Sequence, residues 1–324
     1  MATLSLIKRP IEGELNDYRN AFHATLEHPD GLLGSALAHI RNRQGKLMRP
    51  MLVLLCAKAA GGVNDGVTRA AVTLELLHTA SLVHDDIVDE SDERRGQPSV
   101  NATYDNKVAV LVGDYLLSTS LHHAALTGDA EIVRVVARLG QDLSEGEILQ
   151  LSNISSSSLS EDTYYEIIRK KTAVLFATCA QLGAMASGAS AADTERFRLF
   201  GEKVGICFQI KDDIFDYYES PELGKPTGND MLEGKLTLPA IYAVNTSADD
   251  HIRDLVKRVK SGHVTHDEIV ELIRFTKAHG GIEYAMQAME KLRREALDLI
   301  LPVQDDDIRT ALEAFLSYVV ERTK

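Results

Sequence analysis

An all-α fold is what this sequence predicts, and three observations carry the prediction. Apolar residues recur at three- and four-residue spacing almost throughout, no alternating segment of strand length appears, and Gly, Pro and Asn punctuate the chain at helix-length intervals. The 324 residues would admit two average domains or one large helical domain. Hydrophobic helices resume directly after every polar connection, so a single domain over 1–324 is expected. Hydrophobic residues make up 44% and charged residues 26%, which excludes a disordered, collagenous or coiled-coil chain.

In chain order, helices are expected near 10–28 and 31–43. Pro50 opens the next, MLVLLCAKAA, and Gly61-Gly62 stops it. Asn64 can cap a long helix over 67–89. The polar run 91–106 reads as an irregular connection, as do the serine-rich 155–160 and the segment 220–234. Between and after them the periodicity predicts helices at 107–126, 129–151, 161–188, 191–219, 235–246, 249–260, 266–278, 281–300 and 305–322. The stretch 173–189 is apolar on most faces, so other helices must surround it. It is short and interrupted for a membrane span.

Lys plus Arg number 35 and Asp plus Glu 48, a net charge of −13, which argues against a general nucleic-acid surface. Cys56, Cys179 and Cys207 are odd in number and lack paired spacing, which points to a reduced, cytoplasmic chain without a disulfide framework. The opening segment lacks the apolar run of a signal peptide.

Two segments carry chemistry, His84-Asp85-Asp86-Ile87-Val88-Asp89 and Lys211-Asp212-Asp213-Ile214-Phe215-Asp216. Each holds D-D-x-x-D. On a helix, positions i and i+4 lie about 6 Å apart on one face, so Asp85 pairs with Asp89 and Asp212 with Asp216. Carboxylates clustered in such apolar surroundings need cations, and hard divalent ions with oxygen ligands supply them. Basic residues gather at 45–50 (GKLMRP), 94–96 (RRG), 170–172 (KKT), 224–226 (GKP) and 234–237 (GKLT), several beside expected helix ends that favour anions. The joint pattern points to metal-assisted capture of phosphate groups.

The ordered set GKLMRP, LLHTASLVHDDIVDESDERRGQPSVN (76–101), LVGDYLL (111–117), RKKTAVLF (169–176) and FQIKDDIFDYYESPELGKPTGNDMLEGKLTLP (208–239) resembles the trans-isoprenyl diphosphate synthases of the polyprenyl synthetase family. The resemblance spans nearly the whole chain. It implies an isoprenoid-synthase-like fold of helices surrounding a central cavity, a cytoplasmic homodimer, and transient membrane association for product release. It further implies that Asp85, Asp86, Asp89, Asp212, Asp213 and Asp216 hold Mg²⁺ and, through it, the diphosphate of an allylic substrate such as farnesyl diphosphate. Arg94, Lys171, Thr172, Gln209, Lys225 and Lys235 would contact that substrate. Lys46, Arg49, His78 and Arg95 would bind the diphosphate of isopentenyl diphosphate.

Product length is expected to depend on Ala80 and Ser81, one turn before the first motif. The family pattern places a large aromatic near 80 when products are short, so Ala80 implies a longer chain, octaprenyl favoured, as for quinone side chains. Each isoprene unit contributes on the order of 4 kcal/mol of hydrophobic stabilisation, so the tunnel must be apolar; Leu76, Leu77 and 111–117 are candidate walls. Three alternatives remain. A short-chain farnesyl or geranylgeranyl synthase differs only in product. A non-catalytic subunit of a heteromeric synthase usually loses aspartates, and all six are present here. A class I cyclase or head-to-head synthase has no need of a second diphosphate site, and Glu233 occupies the position where many cyclases carry Ser. His84 could orient an aspartate or be a satisfied structural histidine, Tyr217 and Tyr218 could line the site or cap the motif helix, and 245–324 shows no specific chemistry.

Overall fold

The computed structural model describes residues 2–42, 45–94, 96–154, 156, 159–218 and 227–322. Helices dominate it. In order they are α1 (Ala2–Lys8), α2 (Glu12–Thr25), α3 (Leu32–Arg41), α4 (Met48–Ala60), α5 (Asp65–Val88), a two-stranded ribbon of β1 (Glu93–Arg94) and β2 (Gln97–Pro98), α6 (Val100–Tyr104), α7 (Asn106–Ala125) and α8 (Ala130–Ile154). There follow α9 (Glu161–Ile168), a π-helical turn (Arg169–Ala173), α10 (Val174–Ala186), α11 (Ala191–Phe215), α12 (Asn229–Leu232), α13 (Leu238–Asn245), α14 (Asp250–Lys260), α15 (His266–Ala278), α16 (Gly281–Ile300) and α17 (Asp306–Glu321).

The predicted helices are present, with several differences, among them the short α6 and α12 inside segments expected to be irregular. Helix α1 was not expected; it is short and ends at the 3-10 turn that accommodates Pro10. The connection 91–106 contains the ribbon, where Glu93 pairs with Pro98 and Arg94 with Gln97. The π turn divides the expected helix 161–188. Helix α11 stops at Phe215, short of the expected 219; residues 219–226 lie outside the described residues.

Two compact units emerge, each drawn from several stretches of chain. One comprises Met1–Gly140, Thr178–Arg198 and Ile300–Phe315. Its centre is α5, against which α4 and α7 pack. Met51 through Ala57 of α4 are buried without interruption, as expected of a helix covered on every side. Each of Leu52, Leu54 and Leu55 contributes about 2 kcal/mol by leaving water. The Asn64 side chain accepts from Val67 N–H at 3.0 Å, which makes it the N-cap expected for α5.

The other unit comprises Gln141–Ala177, Leu199–Leu299 and Leu316–Lys324. Here α13 packs on α9 and α15, and the amphipathic α14 buries Ile252, Leu255, Val256 and Val259 at helical spacing. A Cβ at Gly205 would lie 2.5 Å from the Ala173 Cα, so only glycine lets α11 approach the π turn this closely. That approach brings the second acidic motif beside Lys171 and Thr172. The three cysteines are free and buried; burial pushes the Cys179 and Cys207 thiols up to about 12, so they are inert packing groups. Among the described residues, no helix is long and apolar enough to cross a membrane.

Candidate active site

The first motif closes α5. Val88 is the last helical residue and Asp89 the C-cap, with its N–H donating to the Asp85 carbonyl at 2.8 Å. The three carboxylates differ in surroundings. Asp85 is half-buried and Asp89 exposed, whereas the Asp86 side chain is 1% exposed and paired with the Arg94 guanidinium. The ribbon makes that pairing by turning the chain back over the end of α5. Ser99 and Asn101 anchor its return by donating to the Ser91 carbonyl at 2.7 and 3.2 Å. Arg94, expected to face the allylic substrate, is thus the counter-ion of the buried aspartate.

Asp86 and Arg94 line a pocket in this unit together with His78, Glu75, Gly45 and Leu47. Gly45 and Leu47 flank Lys46, which is exposed just before α4; Arg49 is half-buried in the first turn of α4. His78 thus shares a pocket with Gly45 and Leu47 of the GKLMRP segment. Arg95 lies outside the described residues. Ala80 is buried at 2% exposure, and Ser81 donates back to the His78 carbonyl at 2.9 Å. His84 turns away from the motif, with Nε2 3.3 Å from the Val110 carbonyl and 3.5 Å from Asp114.

The second motif closes α11, and its carboxylates are held differently. Arg322 donates to Asp212 Oδ1 at 2.7 Å and to the Phe208 carbonyl at 2.9 Å, while its guanidinium lies 3.8 Å from the Phe208 ring centroid. Asp213 is buried and accepts from two neutral donors, the Tyr164 hydroxyl at 2.6 Å and the Gln209 amide at 2.8 Å. Thr172 donates to Gln209 Oε1 at 2.7 Å. Asp216 lies just past the helix and accepts from Asn229 N–H at 3.0 Å and Asp230 N–H at 3.2 Å. Burial raises the Asp213 carboxyl well above its ordinary range, with the charge of Asp230 adding to the shift. Asp216 is raised by burial against the pull of three backbone N–H groups. Asp230 is raised to about 6, by burial first and the charge of Asp216 second.

One pocket of this unit is lined by Lys171, Thr172, Gln209, Asp213, Asp230 and Lys235. Five of these six residues were singled out in the sequence. Lys171 is poised by Glu147 at 2.6 Å and Lys235 by Glu233 at 2.5 Å. A Cβ at Gly146 would lie 2.8 Å from the Lys171 nitrogen, so glycine lets α8 carry Glu147 alongside. Lys225 lies outside the described residues. Sequence reasoning missed Asp230, Tyr164 and Arg322. Asp230 stood in a segment read as an irregular connection, although G-N-D is a turn signal there. Tyr217, left open between two roles, is buried with its hydroxyl 3.3 Å from Thr237 Oγ1, and the Tyr218 ring carries Lys277 at 4.3 Å.

Among the described residues, no group of three or more His, Cys, Asp or Glu is gathered closely enough to hold a metal by protein ligands alone. The donors are nonetheless all carboxylate oxygens, the set a hard divalent ion takes when phosphate and water complete its shell. Acidic helix ends beside pockets lined by arginine and histidine at the first motif and by lysine at the second define a class of enzyme that handles diphosphate esters with divalent metal.

Comparison narrows that class. Residues 30–274 match the polyprenyl synthetase family, and the chain belongs to it. It is a prenyltransferase that elongates all-trans isoprenyl diphosphates. It is 36% identical over 293 residues to heptaprenyl diphosphate synthase component 2 of Geobacillus stearothermophilus, covering 90% of each chain. Geranylgeranyl pyrophosphate synthase from Bacteroides thetaiotaomicron superposes with a TM-score of 0.88 at 52% identity, over 99% of this chain and 100% of that one. Polyprenyl synthase from Caulobacter crescentus, complexed with calcium and isoprenyl diphosphate, superposes with a TM-score of 0.91 at 29% identity, over 99% and 98%.

Proposed function

We propose that this chain condenses isopentenyl diphosphate head to tail onto an allylic diphosphate in a Mg²⁺-dependent reaction, with the acidic motifs supplying the metal-binding carboxylates. The observation that carries the reading is the pocket in which Lys171, Thr172, Gln209 and Lys235 converge on Asp213 from separate segments. Asp85, Asp86 and Asp89 of the first motif and Asp212, Asp213 and Asp216 of the second would supply the carboxylate oxygens for the metal. Mg²⁺ bound there would neutralise negative charge building on the departing diphosphate.

The lysines and Thr172 bind and orient the allylic diphosphate, so that its C–O bond breaks with both electrons leaving on the bridging oxygen. Gln209 and Thr172 turn dipoles toward the resulting allylic cation. The double bond of isopentenyl diphosphate, anchored by Lys46, Arg49, His78 and Arg95, attacks that cation and forms the new C–C bond. A proton then passes from the adjacent carbon to an oxygen of the released diphosphate. Water must be kept out until this step, or it captures the cation.

Small, buried Ala80 favours a long-chain product, octaprenyl among them. The 52% identity to a structure named geranylgeranyl pyrophosphate synthase favours a shorter second reading. A homodimer is supported by Val110, Leu117 and Leu121, which share one face of α7 and are 41, 36 and 39% exposed. The catalytic assignment is tested by Asp85→Asn and Asp212→Asn: each is expected to abolish Mg²⁺-dependent condensation, and near-normal turnover in both would defeat it.

A further inference from the structure

The relay behind Asp213 has a donor that no diphosphate or metal requires. We propose that Tyr164 is a positioning residue for the allylic site, acting through Asp213 to fix the amide of Gln209; this rests on the function proposed above. The phenol is buried at 5% exposure on α9, whose start is fixed by the Ser160 side chain accepting from Thr163 N–H at 3.2 Å. Its hydroxyl approaches Asp213 Oδ2 at 2.6 Å, the length of a charge-assisted bond. The other carboxylate oxygen accepts from Gln209 at 2.8 Å, and the opposite end of that amide accepts from Thr172 at 2.7 Å. Tyr164, Asp213, Gln209 and Thr172 thus form an unbroken chain of donors and acceptors across α9, the π turn and α11.

The direction of the chain follows from its ends. Tyr164 can only donate to a carboxylate. A phenol hydroxyl has one proton to give, and Asp213 Oδ2 lies 2.6 Å from it. With one oxygen held, the carboxylate cannot rotate, and its second oxygen is presented to the Gln209 nitrogen. The amide oxygen is then aimed at Thr172, and the Thr172 hydroxyl is oriented at the wall of the pocket. Without the Tyr164 hydroxyl, the carboxylate is free to turn and the amide has no reason to prefer one orientation. Tyr164 also lines this pocket, but its hydroxyl is committed to Asp213, so its effect runs through the geometry of Gln209 and Thr172.

Tyr164→Phe removes the hydroxyl and keeps the ring. With purified enzyme, farnesyl diphosphate, isopentenyl diphosphate and Mg²⁺, kcat is expected to fall about tenfold while the KM for isopentenyl diphosphate stays within twofold. A structural role would lower the melting temperature and the active fraction without that split. Combining Y164F with Thr172→Val sharpens the test, because a relay makes the double variant no slower than T172V alone. Wild-type kcat in Y164F, or losses that multiply in the double variant, overturns the proposal. Should Y164F fail to fold, Tyr164→His restores an N–H donor, and recovery of folding without recovery of kcat overturns it equally. Wild-type enzyme that transfers no prenyl group sinks the functional reading itself, a result separate from any of these.

Discussion

The two acidic motifs share one five-residue pattern and are neutralised by different chemistry. At the end of α5 the middle carboxylate, Asp86, is buried against a cation, Arg94. At the end of α11 the middle carboxylate, Asp213, is buried against two neutral donors, Tyr164 and Gln209. The outer residues differ as well. Asp89 is exposed, whereas Asp216 receives two backbone N–H groups from the start of α12. The lesson is that a motif specifies where carboxylates sit along a helix, while the elements packed beside it decide what each can do. An ion pair is balanced before any ligand arrives. A carboxylate among neutral donors keeps its charge uncompensated, and burial accordingly raises Asp213.

The largest expected effect breaks the symmetry of the pair. Arg94→Ala leaves Asp86 buried without its counter-ion and is expected to cost about 3 kcal/mol in denaturant unfolding. Removing only the Tyr164 hydroxyl should cost about 1.5 kcal/mol by the same measurement. Equal losses would show that the two motifs are stabilised alike. Next comes product length, set beside the first motif alone. Ala80→Tyr is expected to shorten the product, read by chromatography of the dephosphorylated alcohols, and an unchanged distribution would detach chain length from α5.

The smallest expected effect is on pH dependence and belongs to the unit that holds the first motif. Burial lowers the His123 pKa below its ordinary 6.5, and its Nε2 lies 3.2 Å from Thr25 Oγ1. The folded state therefore favours neutral imidazole, and the unfolded state binds more protons just below pH 6.5. Stability from this group is complete above 6.5 and declines as pH falls through that value. His123→Gln should flatten the melting temperature between pH 7 and 5.5; an unaltered slope would assign the acid response elsewhere.

Much of the fold was legible because a 3.6-residue period survives even where helices are covered on all sides. Asn64 and the Gly61-Gly62 stop were readable for the same local reason. The break at 169–173 was not, since a π turn leaves the apolar spacing of RKKTAVLF nearly intact. Nor was the ribbon, whose two-residue strands are too short to alternate. At the site, the aspartates were visible through fixed spacing, and Lys171, Thr172, Gln209 and Lys235 through the resemblance to the family's motifs. Tyr164 and Arg322 were hidden because they reach Asp213 and Asp212 from 49 and 110 residues away. No pattern within a single helix encodes such a contact.

The central claim is that divalent metal and the acidic motifs together drive prenyl transfer. Purified chain should be supplied with farnesyl diphosphate and radiolabelled isopentenyl diphosphate, with Mg²⁺ or with excess chelator. Label entering an extended allylic product only in the presence of Mg²⁺ is the predicted result; label transfer undiminished by the chelator, or none under either condition, would contradict the account.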